Sequence, residues 1–159
     1  MSRLTIIEDP SGDVDIELLS NGGVAYETEW FRVDGDGDPT NHYNDPCWQA
    51  DTSLHFEGKA VNALTVPYVV ANPIVARKVP GVVLGCKARV EFKGRVVDCV
   101  VADIGPRKKI GEGSVRLAEL LGMPKSPLNG GQEGSKVRWT WYPGVPAVVD
   151  GKTYKLQPL

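Results

Sequence analysis

Eighteen glycines and twelve prolines are spread along the whole 159-residue chain. They punctuate many short elements instead of marking one linker, and a chain cut so often folds most readily as short strands joined by turns. Apolar residues alternate or cluster at Leu4 to Ile7, Val14 to Leu19 and Val24 to Val33, between the turn signals Pro10-Ser11-Gly12 and Asn21-Gly22-Gly23, which predicts three N-terminal strands. Strand signals resume at Ala63 to Val70, Val82 to Phe92 and Val96 to Ala102. Pro67 demotes the first of these to an edge, a bulge or a bend, and Lys93-Gly94 joins the other two as a tight hairpin. One helix is predicted, Ser114 to Leu121, with Gly122 as its stop and Pro124 beyond. Lys136 to Tyr142 alternates as a further strand, and a last hairpin is expected around Asp150-Gly151.

Composition narrows the class. With 42% hydrophobic and 24% charged residues the chain is an ordinary globular sequence, expected to form a single domain. A net charge of −2 and a pI near 5.7 argue against a nucleic-acid partner, which needs a basic face. The clusters Arg107-Lys108-Lys109 and Arg77-Lys78 read as solvated loop charges. No apolar run reaches the roughly 18 residues of a membrane-spanning helix, so no membrane partner is expected. The N-terminus, M-S-R-L-T-I-I-E-D-P, turns acidic where a Sec signal would stay apolar, leaving a cytoplasmic location or a non-Sec export route open. Cys47, Cys86 and Cys99 fit neither a zinc spacing nor a dense disulfide framework. Cys86 and Cys99 flank a hairpin and could approach across it, but buried free thiols are the favoured reading.

The chemistry-bearing stretch runs from Val100 to Gly122. Asp103 ends an apolar strand and is followed by Ile104-Gly105-Pro106, a turn that holds a carboxylate at a sheet rim. Glu112 lies between Gly111 and Gly113, where small neighbours let a polymer approach the backbone. Two held carboxylates suit acid/base work on a glycosidic bond. A plainer alternative is open: Asp103 bonding its own turn, Glu112 serving the helix start with Ser114 as N-cap. Upstream, Asp34 to about Lys59 is a long polar segment, of the kind that is commonly functional or disordered. Asp34, Asp36 and Asp38, with Thr40, His42 and Asp45, loosely follow a calcium-loop spacing, although Pro39 replaces the glycine at position six. A solvated loop and a carboxylate wall for a cationic substrate are the competing readings. His42 and His55 have no partner at metal-ligand spacing.

The segment V-A-D-I-G-P-R-K-K-I-G-E-G-S, preceded by V-P-Y-V-V at Val66 to Val70 and D-G-D-G-D at Asp34 to Asp38, resembles glycoside hydrolase family 75, the endo-chitosanases. The likeness spans Phe31 to Tyr142. It implies that Asp103 and Glu112 are the essential carboxylates, with Glu112 as acid and Asp103 as base in an inverting cleavage of β-1,4-linked glucosamine polymer. It also implies that Asp34, Asp36 and Asp38 meet substrate amines, and Tyr68 and Trp48 are expected near the cleft to stack on sugar rings. A strand, then D-x-G-P, a glycine loop and a short helix ending in Leu-Gly is similar to six-stranded double-psi β-barrels. In those relatives the proton donor lies ten residues before the position of Gly122, which is Glu112. The expectation is therefore a mainly β chain with a double-psi barrel, one short helix and extra N-terminal strands. It divides into N-terminal strands 1–33, acidic loop 34–59, barrel core 60–142 and C-terminal hairpin 143–159. No cofactor or metal is expected; a polysaccharide is the expected partner and a monomer the expected state. Two rivals stay open: a peptidoglycan-acting barrel of the lytic transglycosylase kind, and a non-catalytic glycan-binding or structural module of a phage or secretion system.

Overall fold

The computed structural model describes residues 2–159. Three strands come first, β1 (Ser2–Asp9), β2 (Gly12–Leu18) and β3 (Val24–Asp34). A turn-rich segment carries the small hairpin β4 (His55–Phe56) and β5 (Lys59–Ala60). Then follow β6 (Tyr68–Ala71), helix α1 (Pro73–Lys78), β7 (Cys86–Phe92), β8 (Arg95–Ile104), β9 (Glu112–Ser114), helix α2 (Val115–Leu120) and β10 (Gln132–Pro146). The chain closes with the hairpin β11 (Val148–Val149) and β12 (Lys152–Thr153).

The main sheet runs β1-β2-β3-β10-β7-β8-β6-β9, and β9 pairs back onto β3. That last pairing closes β3, β10, β7, β8, β6 and β9 into a six-stranded barrel, leaving β1 and β2 as an appended hairpin. Two of the pairings, β6 with β8 and β3 with β9, are parallel, and the remaining barrel pairs are antiparallel. Closure leaves the barrel strands no free edge. Alternation fills the inside: in β7 Cys86, Ala88, Val90 and Phe92 are buried while Lys87, Arg89 and Glu91 are only partly covered. Trp139 and Trp141 of β10, two apart and on one face, are both fully buried. Tyr26 and Phe31 stack on Trp139 at ring-centroid distances of 5.8 and 5.3 Å. Truncating an aromatic in such a place costs about 3–5 kcal/mol.

Several local expectations need correction. Among the described residues there are two helices, not one: Asn72 caps α1 by accepting from the N–H groups of Ile74 and Val75, and Pro73 takes the first turn. An Asn cap followed by proline is a start signal that hydrophobic periodicity alone passes over. The strand expected from Ala63 begins only at Tyr68, because Pro67 has no N–H to pair and the residues before it turn instead. The strand expected from Val82 begins at Cys86. Ser114 does cap α2, and Lys93-Gly94 and Asp150-Gly151 form hairpin turns with positive φ at both residues. Ala88, not Cys86, sits opposite Cys99, and all three cysteines are free. Burial pushes the Cys86 thiol up to about 11.

Candidate active site

Asp103 owes its direction to a bulge. Tyr68 and Val69 of β6 pair with Val100 and Val101 of β8, but Val70 pairs with Asp103, so Ala102 is the extra residue. A bulge re-aims the side chains that follow it, and here it puts Asp103 beside Val70 on the lining of a cleft of about 800 Å³. The Asp103 residue is only 7% exposed. Ser53 holds it from the turn-rich segment, donating to Oδ1 from both its N–H and its hydroxyl at 3.1 Å.

Asp34 and Asp36, at and just past the end of β3, meet Asp103 there. One carboxylate oxygen from each of the three lies within 4.8 Å of the others. Asp36 Oδ1 accepts from Gln49 N–H at 2.9 Å, and Asp34 Oδ1 accepts from Asp36 N–H at 3.0 Å. The Tyr68 hydroxyl lies 3.2 Å from Asp34 Oδ2 and 2.9 Å from the Asp36 carbonyl oxygen. Burial first, then the charges of Asp36 and Asp103, pushes the Asp34 carboxyl up to about 8. Burial also lifts Asp36 to about 7, against the hydrogen bond from Gln49. Like charges this close cannot all ionise cheaply, so Asp34 and Asp36 tend to hold protons near neutrality unless a cation joins them. An ammonium group or a metal ion would serve, and crowded acidic side chains also occur without either.

Glu112 stands outside that cluster on β9, at the same rim. An ideal Cβ placed on Gly105 would lie 3.0 Å from the Val70 side chain, a tight fit, and 3.6 Å from Glu112 Oε1, an ordinary contact, so the turn two residues after Asp103 packs close to the acid. The approach to Glu112 is rigid. Gly111 has φ +88° and packs against the Trp30 indole, where a Cβ would come within 2.8 Å of Nε1. Trp30 Nε1 donates to the Ile110 carbonyl at 2.8 Å, and Arg32 N–H donates to that of Gly111 at 3.0 Å. Asn72 ties down the preceding loop by donating to the carbonyls of Arg107 and Lys109. Burial raises the Glu112 carboxyl above its ordinary value, and the positive charges of Arg32 and Lys109 pull against it.

Of the residues singled out from sequence, Asp103, Glu112, Asp34 and Asp36 all line the one cleft. The other three do not. Asp38 turns into its own loop, accepting from Thr40 N–H, the Thr40 hydroxyl and His42 N–H, which also breaks the calcium-loop pattern. Trp48 donates its Nε1–H to the Asp38 carbonyl and is spent organising that loop. Tyr68 is fully buried behind the acidic cluster and offers no ring face to a sugar. The aromatics that reach the cleft, Trp30 and Phe31, are only 7% and 2% exposed. The cleft lining is instead rich in charge: Asp34, Asp36, Asp45, Asp103, Glu112 and Glu133 face it against Arg32 and Lys109.

Sequence reasoning passed over Ser53, Arg32 and Asp9. Arg32 was within reach of it, since it lies two residues before Asp34 on a strand whose alternate residues share a face. Ser53 and Asp9 contact the site from 50 and 101 residues away, at Asp103 and Ile110, with no local pattern to announce them. No protein-family model matches this chain, and no curated protein matches it either.

Proposed function

We propose that this protein hydrolyses a β-1,4-linked amino-sugar polymer of the chitosan class, with Glu112 as general acid and Asp103 as general base. The observation that carries the reading is the presence, in one cleft, of a half-buried glutamate beside a separate cluster of three aspartates, without exposed aromatic platforms. A neutral sugar chain would need ring faces to stack on; a chain with an ammonium on each residue finds Asp34 and Asp36 instead.

In this reading Glu112 gives its proton to the glycosidic oxygen as the bond to the anomeric carbon breaks. A water attacks that carbon from the opposite face and loses its proton to Asp103, so the products are a free 4-hydroxyl and a reducing end of inverted configuration. Both bonds from Ser53 go to Asp103 Oδ1 and fix the direction of the carboxyl group that would take the water's proton. The raised Glu112 carboxyl supports its role as the protonated partner.

The test is depolymerisation of chitosan, followed by viscosity and by proton NMR of the first reducing ends formed. Wild-type protein is expected to shorten the polymer with inversion, and Glu112→Gln and Asp103→Asn to lower the rate by about 10²–10⁴-fold each. Undiminished chain length with wild type would overturn the reading. Release of fragments from isolated peptidoglycan alone would move the activity to a lytic transglycosylase type, which needs the acid but no water-activating base.

A further inference from the structure

The appended hairpin reaches into the site through one residue. Asp9, at the end of β1, has a side chain with no exposed surface. It takes both terminal nitrogens of Arg32, Nη1 on Oδ2 at 2.8 Å and Nη2 on Oδ1. It also accepts from Ile110 N–H at 2.9 Å and Ser11 N–H at 2.9 Å. Arg32 is the Cα partner of Glu112 in the parallel pairing of β3 with β9, and both line the cleft. Residues paired in this way sit on the same face of the sheet, so the guanidinium belongs to the side of the sheet where the acid works. Its Nη1 also donates to the Ile110 carbonyl at 3.3 Å, and its Nη2 to the Ser11 hydroxyl. Ile110, two residues before Glu112, is thus gripped at its N–H by Asp9 and at its carbonyl by Trp30 and Arg32.

We propose that Asp9 is a positioning residue for Glu112: by holding both Arg32 and Ile110, it fixes the backbone leading to the acid and keeps the guanidinium from pairing with it. The proposal takes Glu112 to be the proton donor, and so rests on the function proposed above. A general acid must keep its proton until the leaving group takes it, and an arginine in direct contact with a carboxylate lowers its pKa by about 1–3 units. Binding the arginine with a buried aspartate removes that threat while leaving the strand register intact. The charged groups around Glu112 are Arg32 from β3, Lys109 from the preceding loop, Asp103 from β8 and Asp9 from β1, with Glu133 of β10 acting on Arg32. Among these, Arg32 is the cation whose charge Asp9 controls.

The test reads Glu112 directly, without substrate. The side-chain carboxyl of Glu112 is titrated by carbon-13 NMR in wild type, Asp9→Asn, Arg32→Gln and the double variant, each checked for folding by near-ultraviolet circular dichroism. Freed from Asp9, Arg32 is expected to lower the Glu112 midpoint by about one unit. Arg32→Gln, which leaves the Asp9 charge uncompensated, is expected to raise it, and the double variant to return it close to the wild-type value. A midpoint in Asp9→Asn within about 0.3 units of wild type overturns the proposal. If that variant does not fold, an unchanged midpoint in Arg32→Gln overturns it equally. The same shifts in a protein inactive on chitosan would leave the clamp standing and remove the function. An active protein whose Glu112 midpoint ignores Asp9 would do the reverse.

Discussion

Asp9 and Asp34 are both drawn out of water by folding, and their carboxyls move in opposite directions. Around Asp9, burial pushes up, yet the hydrogen bonds from Arg32, Ser11 and Ile110 outweigh it and hold the group below its ordinary value. Around Asp34, burial pushes up and the neighbours Asp36 and Asp103 push the same way. Desolvation is common to both; the sign is decided by whether the neighbour that the fold supplies is a fork of donors or another carboxylate. One site has its charge balanced within the fold, and the other is left with acidic groups crowded against one another.

The largest effect should come from breaking the balanced site. Arg32→Ala leaves the Asp9 charge buried and unpaired, and is expected to cost about 3–5 kcal/mol in chemical denaturation at pH 7. A loss below about 1 kcal/mol would mean that the pair behaves as an exposed ion pair and that the contrast with Asp34 is empty.

The next effect is the opposite pH dependence of the two sites. Asp34 and Asp36 have folded-state pKa values raised to about 8 and about 7, so their protonated forms favour the fold. The stability they contribute is full below the unfolded-state value near 4 and is lost as pH rises through 7 to 8. Asp9 is lowered, so its contribution is full above about pH 4 and disappears only on further acidification. Thermal melts of wild type should therefore fall between about pH 5 and 8 and level off above, and Asp34→Asn should flatten that limb by at least about 1 kcal/mol while leaving the acid limb in place. A wild-type melting temperature that is level from about pH 5 to 8 would remove the claim of crowding.

Binding should then relieve the crowded site. A glucosamine oligomer whose ammonium reaches Asp34 and Asp36 favours their ionised forms and is expected to expel about one proton or less at pH 7. Calorimetry in two buffers of different ionisation enthalpy measures this; proton uptake would contradict it. The smallest effect belongs to Ser53. Ser53→Ala removes the hydroxyl bond to Asp103 and keeps the backbone one, so stability should change by no more than about 1 kcal/mol, with any larger loss appearing in kcat rather than KM.

The two sites also differ in how far the sequence announces them. Asp34, Asp36, Asp103 and Glu112 are legible because each lies in a short local pattern: an aspartate-glycine repeat, a carboxylate before Gly-Pro, a glutamate between glycines. Strand β2 of the appended hairpin, the barrel strands β3, β8 and β10 and helix α2 are legible for the same reason, since alternation, caps and turn residues act over a few positions. Tyr68 and Trp48 show the limit. An aromatic near a motif reads the same whether its ring meets a ligand or, as for Tyr68, props the acidic cluster from behind, and only burial separates the two.

By itself, then, the sequence determined the turn-punctuated β class, the main strands and the capped helix α2, because these follow from local sterics and period, and it singled out four of the six carboxylates that line the cleft. The closure of β9 onto β3, the Ala102 bulge that aims Asp103, and the contacts of Ser53 and Asp9 were decided by tertiary structure alone. They join residues tens of positions apart, and the energies that choose them, the exclusion of water from a carboxylate and the supply of a donor or a rival charge, exist only after the barrel has closed.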